Sequence, residues 1–470
     1  MSEVGKGSSI LRTVAPLLAL FIILTIGGAL LPYVLPEETV PTMPPVTPPS
    51  AVLDSLQIGT SQIRVPVDLK TFAEKAKRGE VSVSINVWTS LTPLEAMAFN
   101  SIISQFGREY PGIKVNHRGA AANMKEVLRA SIRDAENSAH VLSWTHNWTG
   151  ELAEGALIVS LSQVLPRETL EDLRAQYAPF AYSAGIYKQE LYGLPWAAES
   201  TVLICNADLT GGVLPQRFSQ LEEIMARYHK PERGTYGLAW QVDPYHVYPI
   251  VTAFGGFYYD EEKDQLGLNS PGTVTGFFLL SHVLPYMFTR DVGHEAQLSL
   301  FEEGRAPCII TGSWNVLRIG EKVRNILVGP VPEIEGKTPR PFSAVRLMWV
   351  TKAAESDKDR LYASLLFVLW FTLNDNVAKT LVEEARLVPV KLSAIDFVRK
   401  NAEKYSAVAG ALSAVANGAL LPKSTKMAKV WGPLREALSA MISIYNEKGK
   451  EEALRQLRPL LEEAQRKAAS

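Results

Sequence analysis

The stretch VSVSINVWTSLTPLE, residues 81–95, decides the fold class. Its first half carries Val81, Val83, Ile85 and Val87 at every second position, the period of a strand with one buried face. Its second half opens a helix: Thr92 and Glu95 have the spacing of a capping box, and Pro93 takes the first helical position. That helix is predicted to run to about Tyr110, with Leu94, Met97, Ile102 and Phe106 broadly on one face, before Pro111-Gly112 ends it. The pattern then repeats as strand 113–116, helix 124–134 and strand 141–144. A βαβαβ order predicts a parallel sheet with the ligand at the C-terminal ends of its strands.

Upstream, residues 53–80 read as a strand around 63–67 and a short helix near 70–77. Before them, prolines at 36, 41, 44, 45, 48 and 49 make 36–52 an extended stalk, because proline lacks the amide that helices and central strands need. Residues 14–35 read VAPLLALFIILTIGGALLPYVL without a charge. At about 1.5 Å per residue they span about 33 Å, enough for a hydrocarbon core of about 30 Å. Lys6 and Arg12 precede the run and Glu37 and Glu38 follow it, so residues 1–13 are expected in the cytoplasm and the rest outside. The run is longer than a signal peptide's apolar region and lacks its small-residue cleavage site, so an uncleaved anchor is expected, with cleavage the alternative. No cysteine follows it to carry a lipid.

The 470 residues exceed one typical domain, and 47% hydrophobic with 21% charged residues suits a globular chain with a large core. A net charge of −1 argues against a nucleic-acid partner, which needs a surplus of clustered Lys and Arg. Cys205 and Cys308 lie in apolar, strand-like runs and read as two buried thiols, although a disulfide is open to a chain outside the cytoplasm. No metal-ligand spacing, nucleophile elbow, phosphate loop or dinucleotide fingerprint occurs, so no catalytic residue, cofactor or metal is expected. The apolar run 361–373 is too short to cross a membrane and reads as a buried helix.

Aromatic residues fall where strands end. Trp144 closes a strand and is followed by Trp148, Trp314 follows a strand and Gly312-Ser313, Tyr245 follows Asp243-Pro244, and Trp431 lies in Ala428-Lys-Val-Trp. Such rings suit sugars, whose C–H faces are apolar while their hydroxyls need polar partners. Glu199 and Asp243 are candidate hydroxyl acceptors. Against this, any one tryptophan is more often core than platform, and His246 reads as a packed or surface histidine. Asn147-Trp-Thr149 is formally a glycosylation sequon, expected to stay unmodified.

From about residue 81 onward the chain resembles the extracellular solute-binding proteins of sugar-class ABC importers, and among them the maltose-binding proteins. The resemblance rests on ordered blocks at 81–88, 106–115, 141–161 (VLSWTHNWTGELAEGALIVSL), 192–209 (YGLPWAAESTVLICNADL), 243–259 (DPYHVYPIVTAFGGFYY), 301–315 (FEEGRAPCIITGSWN) and 420–434. It implies a bilobal α/β fold whose lobes, about 81–197 with 345–400 and about 202–343 with 401–470, are joined by hinge strands and close on a ligand. It further implies that the chain captures a sugar or oligosaccharide for ABC permease subunits and their ATPase, without being an enzyme. Trp144, Tyr245, Trp314 and Trp431 match the family's stacking positions, Glu199 a ligand-contacting carboxylate, and Asp243 the place of a longer acid. The loop Thr89-Ser90-Leu91 lacks the family's Asp-Lys pair, and Asn147-Trp148 replaces an Asp-Arg pair. Ser90, Asn147 and Trp148 therefore join the expected binding residues in a cleft less charged and more aromatic than the family's. A membrane-anchored carbohydrate-active enzyme and a sensory ectodomain are the alternatives.

Overall fold

The computed structural model describes residues 52–119 and 123–470. The expected anchor at 14–35, the segment before it and all but the last residue of the stalk lie outside the described residues.

The domain opens with a hairpin, β1 (Leu53–Ile58) and β2 (Ser61–Pro66), followed by α1 (Val67–Lys77). Only the second strand and the helix were legible in the sequence. Gly59, at φ +56°, makes the two-residue turn between the strands. Leu56, Ile58, Ile63 and Val65 alternate inward and join Leu69, Phe72 and Ala76 of α1 in one core. Thr60 and Lys391 both bond the Asp375 carboxylate, and Arg64 pairs with Asp172 at 2.7 Å, tying the hairpin to residues far along the chain.

The deciding stretch folds as read, although the helix it opens buries Ala98 and Phe99 and leaves Met97, expected on the inner face, 70% exposed. β3 (Val83–Thr89) leads into α2 (Pro93–Glu109), where Thr92 Oγ1 accepts from the Glu95 amide and Glu95 Oε2 accepts from the Thr92 amide at 2.8 Å. β4 (Ile113–Gly119), α3 (Met124–Ser131) and β5 (Val141–Thr145) follow, and β4 and β5 flank β3 in parallel. Beyond β5 the expectation of a parallel sheet fails. The next strands in space, β6 (Gly193–Asn206) and β10 (Phe342–Val350), run antiparallel to each other, and β10 is antiparallel to β5. The chain reaches them by long excursions through other helices, which the local βαβ pattern could not register. With β7 (Ala239–Trp240), β8 (Cys308–Gly312), β9 (Ile326–Gly329) and β11 (Ala419–Leu420), they form a nine-stranded mixed sheet ordered β4-β3-β5-β10-β6-β8-β7, with β9 on β6 and β11 on β10.

β6 joins the two lobes. Gly193–Ser200 pairs with β10, whereas Thr201–Cys205 pairs with β8 and Leu203–Asn206 with β9. The first half contributes Leu194, Trp196 and Ala197 to one hydrophobic core, and the second half contributes Leu203 and Cys205 to another. The first core also takes α5 (Lys358–Leu373), buried throughout Ala363–Leu373, and α6 (Asp375–Ala385); α5 is the core helix expected at 361–373. Among the described residues no single helix is long and apolar enough to cross a membrane. The remaining helices used below are α4 (Val316–Lys322), α7 (Ser406–Asn417), α8 (Thr425–Lys448) and α9 (Lys450–Ala469), the last two packing on the second core.

The reading of two buried thiols is corrected. Cys205 and Cys308 stand directly opposite each other on antiparallel β6 and β8, with Cα atoms 4.0 Å apart, and are joined as a disulfide. Their separation of 103 residues hid a pairing that only the strand register creates. A second tie crosses the joint. His146, fully buried, accepts the Val345 amide on Nδ1 at 3.0 Å and donates from Nε2 to the Leu421 carbonyl at 2.8 Å. The amide can only donate and the carbonyl only accept, so the ring is neutral with its proton on Nε2. Burial, reinforced by the nearby Lys423 charge, depresses its pKa to about 3.

Two outcomes follow. Replacing both cysteines by serine should cost about 2–5 kcal/mol of stability, since the bridge removes a long loop from the unfolded ensemble, and calorimetry against the oxidised protein measures it. The unfolded chain protonates His146 near 6.5 while the folded chain resists until about 3. The stabilisation is therefore complete above about pH 6.5 and is lost as pH falls towards 3. His146→Gln should flatten that acid slope in a series of pH-dependent melts, and an unchanged slope would refute the assignment.

Candidate functional site

On the first-lobe side the site begins where β5 ends. A single tight turn, His146–Trp148, carries the chain back so that Trp148 stacks on Trp144, ring centroids 4.3 Å apart and planes 15° from parallel. Lys125 Nζ sits 4.7 Å from the centroid of the Trp148 ring and must take its other face, because Trp144 fills the first. Glu151 fixes that ammonium at 2.5 Å and also pairs with Arg129 at 2.6 Å. The order is thus Lys125, Trp148, Trp144, and Trp148 has no free face. Asn147 Oδ1 accepts from Thr145 Oγ1 at 2.7 Å, which places it in the turn's own bonding. Ser90, half-buried, directly follows the C-terminal end of β3. Thr149 of the sequon is fully buried.

At the joint lies a charge cluster that the sequence did not reveal. Arg346, in the middle of β10 and only 6% exposed, bonds Glu199 Oε2 through Nε at 2.7 Å and pairs with Glu95 Oε1 through Nη1 at 2.9 Å. Its guanidinium lies 5.7 Å from the Trp196 ring centroid. Glu95 thereby serves twice, capping α2 with one oxygen and meeting Arg346 with the other. Glu199, expected as a free hydroxyl acceptor, is already held by this arginine. Burial pushes its carboxyl above the usual range against the pull of Arg346.

The second-lobe side is built on Phe342. It stacks face to face on Tyr248, with centroids 3.5 Å apart and planes 2° from parallel, and its carbonyl accepts from Tyr245 Oη at 3.3 Å. Trp431 on α8 meets the Phe342 ring edge-on at 5.9 Å. Trp314, half-buried in the turn after β8, lies 5.8 Å from Tyr245 and 5.7 Å from His246. Asp243 is not free to meet a ligand. It accepts from the Tyr245 amide at 2.9 Å, the His246 amide at 3.0 Å, His246 Nδ1 at 2.9 Å and the Gln241 side chain. Burial alone would raise its carboxyl, but His246 and these amides hold it below the ordinary value. Asp243 therefore aims His246 and Tyr245, and the buried His246 Nε2 has no hydrogen-bond partner among the described residues.

The sequence-predicted residues thus fall into two sets. Trp144, Asn147 and Trp148 cluster on one lobe, while Asp243, Tyr245, Trp314 and Trp431 gather around Phe342 on the other, with Glu199 on the strand between. Phe342, Arg346, Glu95, Lys125 and His246 were missed as site residues. Arg346 had a signal: it is the one charge in FSAVRLMWV, a strand buried along its whole length. Among the described residues no cluster of carboxylates, histidines or cysteines could hold a metal ion.

Residues 101–410 match the family of bacterial extracellular solute-binding proteins. The chain is 31% identical to the maltotriose-binding protein of Pyrococcus abyssi, over 77% of this chain and 78% of that protein. It is 29% identical to the galactooligosaccharide-binding protein of Bacillus subtilis, over 58% of this chain and 66% of that one. Its fold matches the crystal structure of a cyclo/maltodextrin-binding protein complexed with maltotetraose, with a TM-score of 0.67 at 22% identity, covering 81% of this chain and 96% of the other.

Arg346→Leu would leave two buried carboxylates without their cation, which should cost about 3–5 kcal/mol in urea unfolding. Adding Glu199→Gln to that variant should recover part of the loss, because the stranded charge is what destabilises. A loss below about 1 kcal/mol would mean that water already reaches the cluster.

Proposed function

Since this chain belongs to the bacterial extracellular solute-binding proteins, we propose that it captures a sugar or oligosaccharide between its lobes and delivers it to an ABC permease. The lobes in this reading are 81–197 with 345–400 and 202–343 with 401–470. Residues 14–35 anchor the chain to the membrane, with 1–13 in the cytoplasm and 36–52 as the stalk. The disulfide supports an extracytoplasmic setting, because cytosolic thiols are kept reduced. The ligand class follows from two relatives named for oligosaccharides of different sugars.

The observation that carries the reading is the pair of supported aromatic sets on either side of β6. One is Trp144 stacked on Trp148, and the other is Trp314 with Tyr245 and Trp431 around Phe342. Each offers a flat apolar surface to the C–H face of a sugar ring, already held in place before the ligand arrives. In the proposed cleft the hydroxyls meet Ser90, Asn147, Glu199 with Arg346, and the unpartnered Nε2 of His246, whose ring Asp243 aims. Trp148 acts through Trp144 rather than by touching sugar with its own face. Closing the lobes brings both platforms onto one ligand and expels water from it. A ligand with at least two rings can engage both platforms, so oligosaccharides should bind more tightly than their monosaccharide.

Calorimetric titration with maltotriose, a galactooligosaccharide and glucose tests the ligand class, and saturable binding of none of them would sink it. Trp314→Ala tests the site. A sugar ring covering about 100 Å² of apolar surface at about 25 cal/mol per Å² gives about 2.5 kcal/mol. Affinity should therefore drop between about tenfold and a hundredfold, with the ligand-free melting temperature almost unchanged. Intact affinity with a large fall in melting temperature would instead make Trp314 a core residue.

A further inference from the structure

We propose that a crevice formed by α4, the start of β9, the end of α6 and the start of α7 binds a small molecule bearing a phosphate or diphosphate group. This site goes beyond the sugar-binding reading and shares none of its residues. The crevice has a volume of about 530 Å³ and brings together Arg324, Arg386, Lys404 and Ser406, with Glu321 as its one carboxylate. Volumes of this order suit small organic ligands, and a bare phosphate group would fill only part of it. Val316, Leu317, Ile326 and Leu327 supply apolar wall for the remainder of such a ligand.

Arg64, Arg318, Arg346 and Arg360 are each paired with carboxylates. Among the described residues, neither Arg324 nor Arg386 makes an ion pair or a side-chain hydrogen bond, and Lys404 lies 3.7 Å from Glu383 and 4.8 Å from the centroid of the Tyr405 ring. Three cations with one opposing carboxylate therefore share a single concave space. Arg386 also ends α6 at φ 55°, the left-handed position that glycine favours.

The donor set selects the ligand. Guanidinium groups present planar forks that match the oxygens of phosphate, and two forks with an ammonium match a group carrying more than one negative charge. A single carboxylate would leave one fork unmet. The two arginines also come from different parts of the fold. Arg386 lies between Ala385 and Leu387 of the first core, whereas Arg324 leads into β9, which pairs with the second half of β6. An occupant would thus be gripped by both lobes at once.

Inorganic pyrophosphate is the probe. Titrated calorimetrically into the full-length protein at about 0.15 M salt, it should bind one site saturably, with a dissociation constant below about 1 mM. Arg324→Gln and Arg386→Gln should each weaken it about tenfold, as expected for the loss of one charge-assisted bond. Glu321→Gln should strengthen it, because the repelling carboxylate is gone. All three side chains lie at the crevice rather than in either core, so the melting temperatures should hold. No saturable binding, or equal affinity in the wild type and all three variants, would overturn the site, as would chloride competing as well as pyrophosphate.

Discussion

A single fourteen-residue strand has to belong to two hydrophobic cores at once. β6 meets this demand by changing partners along its length, β10 for its first half, with one register shift between Arg346 and Leu347, and β8 with β9 for its second, so that the strand runs on while the packing beneath it changes. The composition of the strand follows. Apolar Leu-Pro-Trp-Ala-Ala lies in one lobe, Val-Leu-Ile-Cys in the other, and Glu199-Ser200-Thr201 between them. Polar side chains belong at the changeover because neither core extends there. Each of the first two is also satisfied: the Ser200 hydroxyl donates to the Phe342 carbonyl and Glu199 meets Arg346. Apolar side chains at this joint would have fused the two cores into one and removed the freedom that a ligand-closing protein needs.

The ties around the joint differ in kind, and the difference matters. The second half of β6 is bonded covalently to β8 through Cys205 and Cys308, so that lobe carries its strand as a fixed part. At the changeover itself the fastenings are polar: Arg346 between two carboxylates, and His146 between Val345 and Leu421. Buried polar ties give little net stability, because desolvation consumes most of the attraction, but they are directional and costly to leave unmade. They specify how the crossing strands sit against each other without adding the broad apolar contact that would lock the lobes together. The proposed sugar site and the joint share Glu199 and Arg346 for a physical reason: the unpacked region between two cores is also where polar groups and a cleft can exist.

What the sequence made legible was whatever is local. The period-two run of β3 and the reciprocal bonds of Thr92 and Glu95 lie within fifteen residues and were read correctly, as was the buried helix α5. What it concealed was long-range. The antiparallel setting of β6 and β10, the disulfide and the Arg346 cluster all depend on residues more than a hundred positions apart being brought to one register. The candidate site divides on the same line. Its aromatic faces could be found because tryptophans after strands are conspicuous, whereas Phe342, His246 and Lys125, which hold them, looked like any core or surface residue. Asp243 and Glu199 were read as free acceptors, whereas their partners make both of them parts of fixed assemblies.

Trp148 shows how such an assembly alters recognition. In a position where the resemblance leads one to expect a charged side chain, this protein places an indole whose two faces are taken by Trp144 and Lys125. An arginine there would have offered hydrogen bonds to a ligand at the cost of ordering a long, flexible chain on binding. The stacked indole offers none, but it fixes the plane of Trp144 beforehand, and aromatic pairs of this geometry contribute about 0.5–1.5 kcal/mol beyond their burial. Lys125, itself fastened by Glu151, extends the same support one layer further back. In the proposed site the exchange puts a preorganised apolar surface in place of a hydrogen-bonding side chain, and preorganisation adds affinity by lowering the ordering cost of binding. If sugars stack on Trp144 as proposed, a cleft built this way discriminates by the shape and number of rings it can stack more than by the pattern of hydroxyls around any one of them.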